Sequence, residues 1–345
     1  MNLLSAFSAI SVIISIFLFG YTSYWYIAAD QIEKEIIKEQ KNQSLKGRAL
    51  SFDKMSITGF PFRFETLFQS PKIRIPNSGL KIESRKLVFS MKPWDYTHIS
   101  IAPDNITSIE HQKNGITNLY NTGINSGNIK ISLKNNKVNI VDIKLSQLNF
   151  KSPFTREPAS INELYAQIDL SGIGQFSSLN TETIKLHLNI NKIGIPDDFG
   201  AEMGKYVEYF QFSADLFGPI SGDKIKDKII NWRDSGGIIE LETLKGRWGP
   251  LEIDANGTLA IDNEMRPLAA LTSNVAGYSD MIDSLIMSNA IPFGDAFLAK
   301  VAFNMLAEER EDGGPRVLEN VPLTIQDGLL SIGPMELGKV KPIKF

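Results

Sequence analysis

Ile184-Lys185-Leu186-His187-Leu188-Asn189-Ile190 alternates apolar and polar side chains without a break. A period of two places all four apolar side chains on one face, so the stretch reads as a strand with one buried face. The same texture recurs on both sides of it. Val207–Phe217 carries Tyr209, Phe210, Phe212 and Leu216, and its aromatic load favours strand over helix. Ser160–Leu170 brings Ile161, Leu164, Tyr165 and Ile168. Ile129–Leu133 and Val138–Leu145 flank Lys134-Asn135-Asn136-Lys137, a hairpin signature. Asn114-Gly115, Gly123 and Ser126-Gly127 punctuate the approach to it. Strands at this spacing predict an extended antiparallel sheet.

Further upstream, Leu50, Phe52, Met55 and Ile57 lead into Gly59-Phe60-Pro61-Phe62-Arg63-Phe64. Read as one strand, this hexapeptide sets Phe60, Phe62 and Phe64 on one face, with Pro61 and Arg63 on the other. Pro61 lacks a ladder donor and belongs at an edge, a strand start or a bulge. The three phenylalanines are candidates for an apolar ligand or partner contact. Arg63 is the candidate for a head group or partner, because a guanidinium fork suits phosphate. Lys72–Ile75 and Lys81–Met91 are the next strands, and Trp94 and Tyr96 lie in a Pro-started turn.

Downstream, Ser221–Trp232 has helical periodicity, with Ser221 and Asp223 as caps and Gly236-Gly237 as the stop. A meander follows in Ile238–Leu244, Gly249–Ala255, Gly257–Ile261 and Pro267–Val275. Tyr278–Ser288 and Asp295–Glu308 return to helix, the latter with Phe297, Leu298, Val301, Ala302, Met305 and Leu306 on its apolar side. Glu308–Gly314 reads as a loop. Val321–Ile325, the turn Gln326-Asp327-Gly328 and Leu329–Ile332 make a terminal hairpin before Gly333-Pro334. The predicted fold class is therefore mainly β with covering helices (α+β), built on a long curved antiparallel sheet.

Ahead of this body, Asn2–Ala29 has no charged side chain. That run of about 28 residues exceeds the roughly 20 needed to cross a bilayer as a helix. Tyr21, Tyr24, Trp25 and Tyr26 at its far end suit an interfacial belt. No Lys or Arg precedes the run, and Tyr26 or Ile27 would occupy the −3 position of a cleavage site near Ala28 and Ala29. Both features argue for an uncleaved signal anchor. Gln31–Leu45 continues as a helix with Ile32, Ile36 and Ile37 on one side. The mixed charges of Asp30–Lys41 show no positive excess, which permits an external domain. The expected organisation is an anchor at 1–29, a helical stalk at 30–48, a β-rich part at 49–217, and a β-meander with helices at 218–345.

The 345 residues carry a net charge of −3, with 22% charged side chains, so there is no basic field for nucleic acid. There is no Cys, which excludes disulfides, thiolate metal sites and Cys nucleophiles. His98, His111 and His187 stand far apart, without metal-ligand spacing. No G-x-S-x-G elbow, G-x-G-x-x-G or P-loop occurs; Gly172-Ile173-Gly174 lies between strands. Asp254 and Asp262 have no partner His, and Asp327-Gly328 is hairpin-turn chemistry. No catalytic, cofactor-binding or metal-binding residue is expected, nor any cofactor.

Three blocks in order carry a resemblance. They are Thr58–Phe64 after a single anchor; Trp232, Gly236-Gly237 and Trp248-Gly249-Pro250-Leu251; and Gly257–Asp262 with Arg266-Pro267, then Asp327-Gly328 and Ile332-Gly333-Pro334. Together they resemble an uncharacterised alphaproteobacterial envelope family, a domain of unknown function. The strand texture is also loosely similar to the AsmA-like envelope proteins. The resemblance implies a single-pass inner-membrane protein with its domain in the periplasm. The expected activity is non-enzymatic: binding lipid or another amphiphile on the curved sheet. The alternative is a structural protein that binds other envelope proteins through an exposed sheet edge, and a hydrolase ranks behind both.

Overall fold

The computed structural model describes residues 3–45, 49–75, 79–104, 106–113, 116–173, 182–197, 203–222, 224–287, 292–309, 316–333 and 335–343. The expectations for Asn114-Gly115, Gly174, Asp223, Pro334 and most of the 308–314 loop lie outside the described residues. The fold is mainly β with helices, and every described strand pairing is antiparallel. The chain divides into two compact units. Unit 1 holds Met1–Ile124 and Asn128–Ser132, and unit 2 holds Asn125–Gly127 and Leu133–Phe345.

Unit 1 begins with one uninterrupted helix, α1 (Leu3–Leu45). Nine strands follow: β1 (Ala49–Ser51), β2 (Lys54–Thr58), β3 (Phe64–Gln69), β4 (Lys72–Ile75), β5 (Leu80–Ser84), β6 (Lys86–Lys92), β7 (Asp95–Pro103), β8 (Ile106–Lys113) and β9 (Ile116–Lys134). The first eight are halves of longer arms. Ala49 faces Arg74 and Thr58 faces Glu65 in one unbroken register, so β1 and β2 together oppose β4 and β3. Likewise Phe64 faces Met91 and Ile75 faces Leu80. Each arm breaks where the backbone cannot keep the ladder. Ser70 sits at φ 49° and Pro71 has no N–H. Bonds from Ser70 N to Arg85 O (2.8 Å) and Ser84 N to Pro71 O (3.1 Å) carry the pairing across that break. Hence Lys81–Met91, expected as one strand, is β5 and β6 with Arg85 between them.

The larger correction concerns residues 59–63. They do not continue a strand. Gly59 adopts φ 97°, a conformation that favours glycine. Its carbonyl accepts from the N–H of both Phe62 (3.1 Å) and Arg63 (3.0 Å). The chain therefore reverses between β2 and β3. A Cβ at Gly59 would stand 2.7 Å from the Arg63 carbonyl oxygen.

Unit 2 is a meander of β10 (Lys137–Lys151), β11 (Ala159–Asp169), β12 (Glu182–Gly194), β13 (Tyr206–Phe217), β14 (Ile238–Trp248), β15 (Leu251–Ile261), β16 (Pro267–Ala276), β17 (Val317–Gln326), β18 (Leu329–Ile332) and β19 (Met335–Lys339). Each strand pairs with the next. Asn135 and Asn136, both at positive φ, form the two-residue turn ahead of β10. Gly249–Ala255 and Gly257–Ile261, expected as two strands, are the single strand β15, with Gly257 at φ 143° inside it.

Three helices interrupt the meander: α2 (Ile225–Asp234), α3 (Tyr278–Met287) and α4 (Phe293–Leu306). Helix α2 starts four residues after Ser221, which does not cap it. Instead the Ser221 carbonyl accepts from Asn231 Nδ2 at 2.9 Å. Helix α4 turns the opposite way from its expected apolar side. Phe297, Leu298, Val301 and Met305 are exposed, while Ala296, Phe303 and Ala307 pack inward. The small inward alanines let the helix approach closely, and a helix apolar all round leaves one face outward.

Candidate functional site

The period-two pattern becomes chemically meaningful once the register is known. On one face of unit 2 the cross-strand partners line up in rows that run across the strands. One row is Leu145, Leu164, Ile190 and Phe210, continued on β14–β17 by Gly246, Ile253, Val275 and Leu318. The next is Ile143, Ala166, Leu188, Phe212, Leu244, Ala255, Ser273 and Val321. The third is Val141, Ile168, Leu186, Ala214, Leu241, Gly257, Leu271 and Leu323. Ser273 is the sole hydroxyl in these rows, and its Oγ donates to Val321 O at 2.9 Å. Directly opposed apolar side chains of this kind stabilise a sheet pair by pair.

The two ends of the rows differ. At the β15–β17 end, Val275, Leu318 and Val321 are buried in a cluster with Tyr278 and Ile282 of α3 and Phe303 of α4. On β10, β11 and β12 the row residues are only half-buried, apart from Ala166. Among the described residues, no helix side chain joins them in a buried cluster.

The reverse face of the same strands is polar. Lys144, Tyr165, Asn189, Asn191, Tyr209 and Gln211 line a shallow depression there. Tyr209 donates to Glu252 (3.1 Å); burial, and then that carboxylate, push its phenol above the ordinary value. Nearby, Ser213 Oγ lies 2.8 Å from both His187 Nδ1 and Glu242 Oε2. A serine between a histidine and a carboxylate directs its single proton to the carboxylate. That order is not the nucleophile–base–orienter chain of a hydrolase.

Unit 1 holds a second apolar site, a cavity of about 340 Å³ between α1 and the sheet. Ile32 and Ile36 line it from the helix, and Phe64, Phe68, Phe89 and Met91 from the strands. Among the described residues Glu39 is the only carboxylate on its wall, and it accepts from Gln43 Nε2 at 2.6 Å.

The three phenylalanines expected on one face of the hexapeptide do not share it. Phe64 is 1% exposed and packs on Trp25 of α1 at 5.1 Å between ring centroids, and it also reaches the cavity. Phe60 stacks on Tyr26 at 5.9 Å. Phe62 projects from the turn, 70% exposed. Arg63 pairs with Glu65 at 3.1 Å. What the alternation could not reveal is which apolar residues of successive strands meet. Each apolar set was legible, but the rows depend on turn lengths and on bulges such as the shift between Leu241 and Leu244.

The fold and these sites define a mainly antiparallel β protein behind an N-terminal helix that is long and apolar enough to cross a membrane. The chain belongs to the family described as "Uncharacterized protein conserved in bacteria (DUF2125)", whose model matches residues 25–341. The match begins at Trp25, a helix residue buried against the sheet. No curated protein and no solved structure matches the chain.

The blocks that carried the resemblance are packing and turn chemistry. The Trp232 ring lies so close over Gly237 that a Cβ there would come within 2.3 Å of it. Trp232 Nε1 donates to Phe217 O at 2.7 Å. Gly249 turns at φ 54°, where a Cβ would meet Met203 O at 1.8 Å. Asp262 binds the Arg266 backbone N–H and guanidinium at 2.7 and 2.6 Å, closing the β15–β16 turn.

Proposed function

We propose that this is a single-pass inner-membrane protein with its domain in the periplasm. It holds the acyl part of a lipid or another amphiphile against the half-buried rows of β10–β12. One observation carries this reading: apolar rows continue unbroken across strands where, among the described residues, no helix buries them. Each methylene moved from water onto such a surface contributes about 0.8 kcal/mol. Tethering by α1 raises the local concentration of the domain at its lipid source. The likeness to AsmA-like proteins belongs to this proposal and rests on architecture alone. Nothing in the reading calls for a bond-making step, so we treat the protein as non-enzymatic.

The test is mass spectrometry of lipid retained by the full chain after mild detergent extraction, beside a Leu164→Asn/Leu188→Asn variant. Retention by the natural chain and its loss in the variant are expected. Equal retention by the two, or detergent-background levels in both, would overturn the proposal. The alternative, a partner added at a sheet edge, draws less support. The terminal strand β19 is short and carries Glu336, Gly338 and Lys339, features that discourage edge pairing. A protein captured by the full chain and lost on placing a proline in β19 would favour it.

A further inference from the structure

We propose that two hairpin tips of unit 1, at residues 59–63 and 93–96, insert into the head-group boundary of the bilayer that α1 crosses. With the aromatic turn of α1 they form a collar that seats the unit directly on the lipid surface. The proposal rests on the membrane-anchoring half of the reading above and not on lipid binding by unit 2.

Three observations carry it. First, α1 divides near Tyr21. Val12, Ile13, Ile14 and Ile16–Phe19 are exposed apolar side chains, and from Trp25 onward the helix packs on the sheet. At 1.5 Å per residue, Leu3–Gly20 is about 27 Å long, close to the roughly 30 Å of bilayer hydrocarbon. Second, the tips are tied to the helix where the free segment ends. Tyr21 Oη donates to Pro61 O, and Tyr24 Oη donates to Pro93 O at 2.6 Å and contacts the Tyr96 hydroxyl. Phe60 packs edge-on against Trp25 at 5.6 Å. Third, the rings gathered there face solvent. Phe62 is 70% exposed, Trp94 and Tyr26 each 61%, Tyr96 46% and Phe60 44%.

An aromatic patch at the foot of an apolar helix matches the interfacial preference of Trp and Tyr, whose rings bury while their polar atoms stay wet. In water the same patch would be a cohesion hazard. Arg63 closes the first tip and Lys92 immediately precedes the second, and their long side chains can reach lipid phosphate at the head-group level. The packed length of α1 thus belongs to the folded unit, and the sheet starts at the membrane surface.

The absence of cysteine makes a direct test simple. Phe62→Cys, Trp94→Cys, Ile13→Cys and Arg74→Cys are made one at a time in the full chain. Each carries a nitroxide label and is reconstituted in vesicles of phosphatidylethanolamine and phosphatidylglycerol. Collisions with oxygen, which concentrates in lipid, are compared with those of a water-soluble nickel chelate. Arg74 is exposed on β4, up to about 33 Å along the arm from Phe64 at 3.3 Å per residue, and serves as the aqueous reference. Labels at 62 and 94 are expected to meet the chelate several-fold less often than the label at 74, and oxygen more often. Chelate access at 62 and 94 equal to that at 74 would overturn the proposal. So would shielding from both reagents, which marks a protein contact. A lipid-embedded label at 13 with aqueous tips refutes the collar alone; an aqueous label at 13 refutes the anchor beneath it.

Discussion

The two ends of the apolar face in unit 2 share a pattern and differ in fate. On β15–β17 the rows run beneath α3 and α4, and Leu318 is fully buried. On β10–β12 equally apolar rows, with Leu164, Leu186, Leu188 and Ile190, stay half-buried. Alternation therefore sets which way a side chain points, and the next layer decides whether it is core or surface. Apolar side chains at the covered end supply stability. Those at the open end supply little stability and a surface that prefers carbon to water.

That contrast predicts unequal costs for one chemical change. Leu318→Ala deletes a buried side chain at a site closed on both sides, with an expected loss of about 2–5 kcal/mol in unfolding free energy. Leu188→Ala, at the open end, is expected to cost about 1 kcal/mol, because solvent fills the space it leaves. Denaturant titration of the two variants measures the difference, and equal costs would mean that the open end is packed in solution. Gly237→Ala probes the covering of the rim. Its methyl would enter the Trp232 ring, and a loss of about 1–3 kcal/mol is expected. Leu298→Gln and Met305→Gln lie on the outward side of α4, and each should change stability by less than about 0.5 kcal/mol. A large loss at either position would show that this side is covered by something else.

The same contrast explains what could be read from residues alone. Ile184–Ile190, Val207–Phe217 and Pro267–Val275 announce strands, because period two is a local property. The pairing of Leu164 with Ile190 and of Ile190 with Phe210 is not local, since it follows from how each turn closes. At 59–64 the alternation misled. Phe60, Phe62 and Phe64 have strand spacing, yet Gly59 permits the tight turn that takes two of them out of the sheet. On α4 the apolar side was legible and its direction was not. Ala296, Ala299 and Ala307 carry little hydrophobic signal, but their small size lets the helix sit close to Tyr278, Ile282 and Leu318. Ile32 and Ile36 of α1 were legible as one side of a helix, whereas the cavity they line depends on where the arms of unit 1 break.

The smallest predicted effect separates the two ends by charge. At the covered end Arg266 gathers Asp262, Glu264 and Asp327 from the β15–β16 and β17–β18 turns. Burial of Asp262 works to raise its pKa, but the Arg266 backbone N–H and guanidinium outweigh it and hold the carboxyl below the ordinary aspartate value. Its folded pKa therefore lies below the unfolded one, and between the two values the folded state binds fewer protons than the unfolded state. The stabilisation is fully present above the unfolded pKa and fades as pH drops through the folded one. Asp262→Asn removes this linkage. The variant should be less stable than the natural chain near neutral pH, with the gap narrowing as the pH falls into and below the ordinary aspartate range. No gap at any pH would mean the turn is held by the hydrogen bond from the Arg266 N–H, which asparagine also accepts, and not by charge. The rim of the covered end would then owe its closure to the same geometry that lines up its rows.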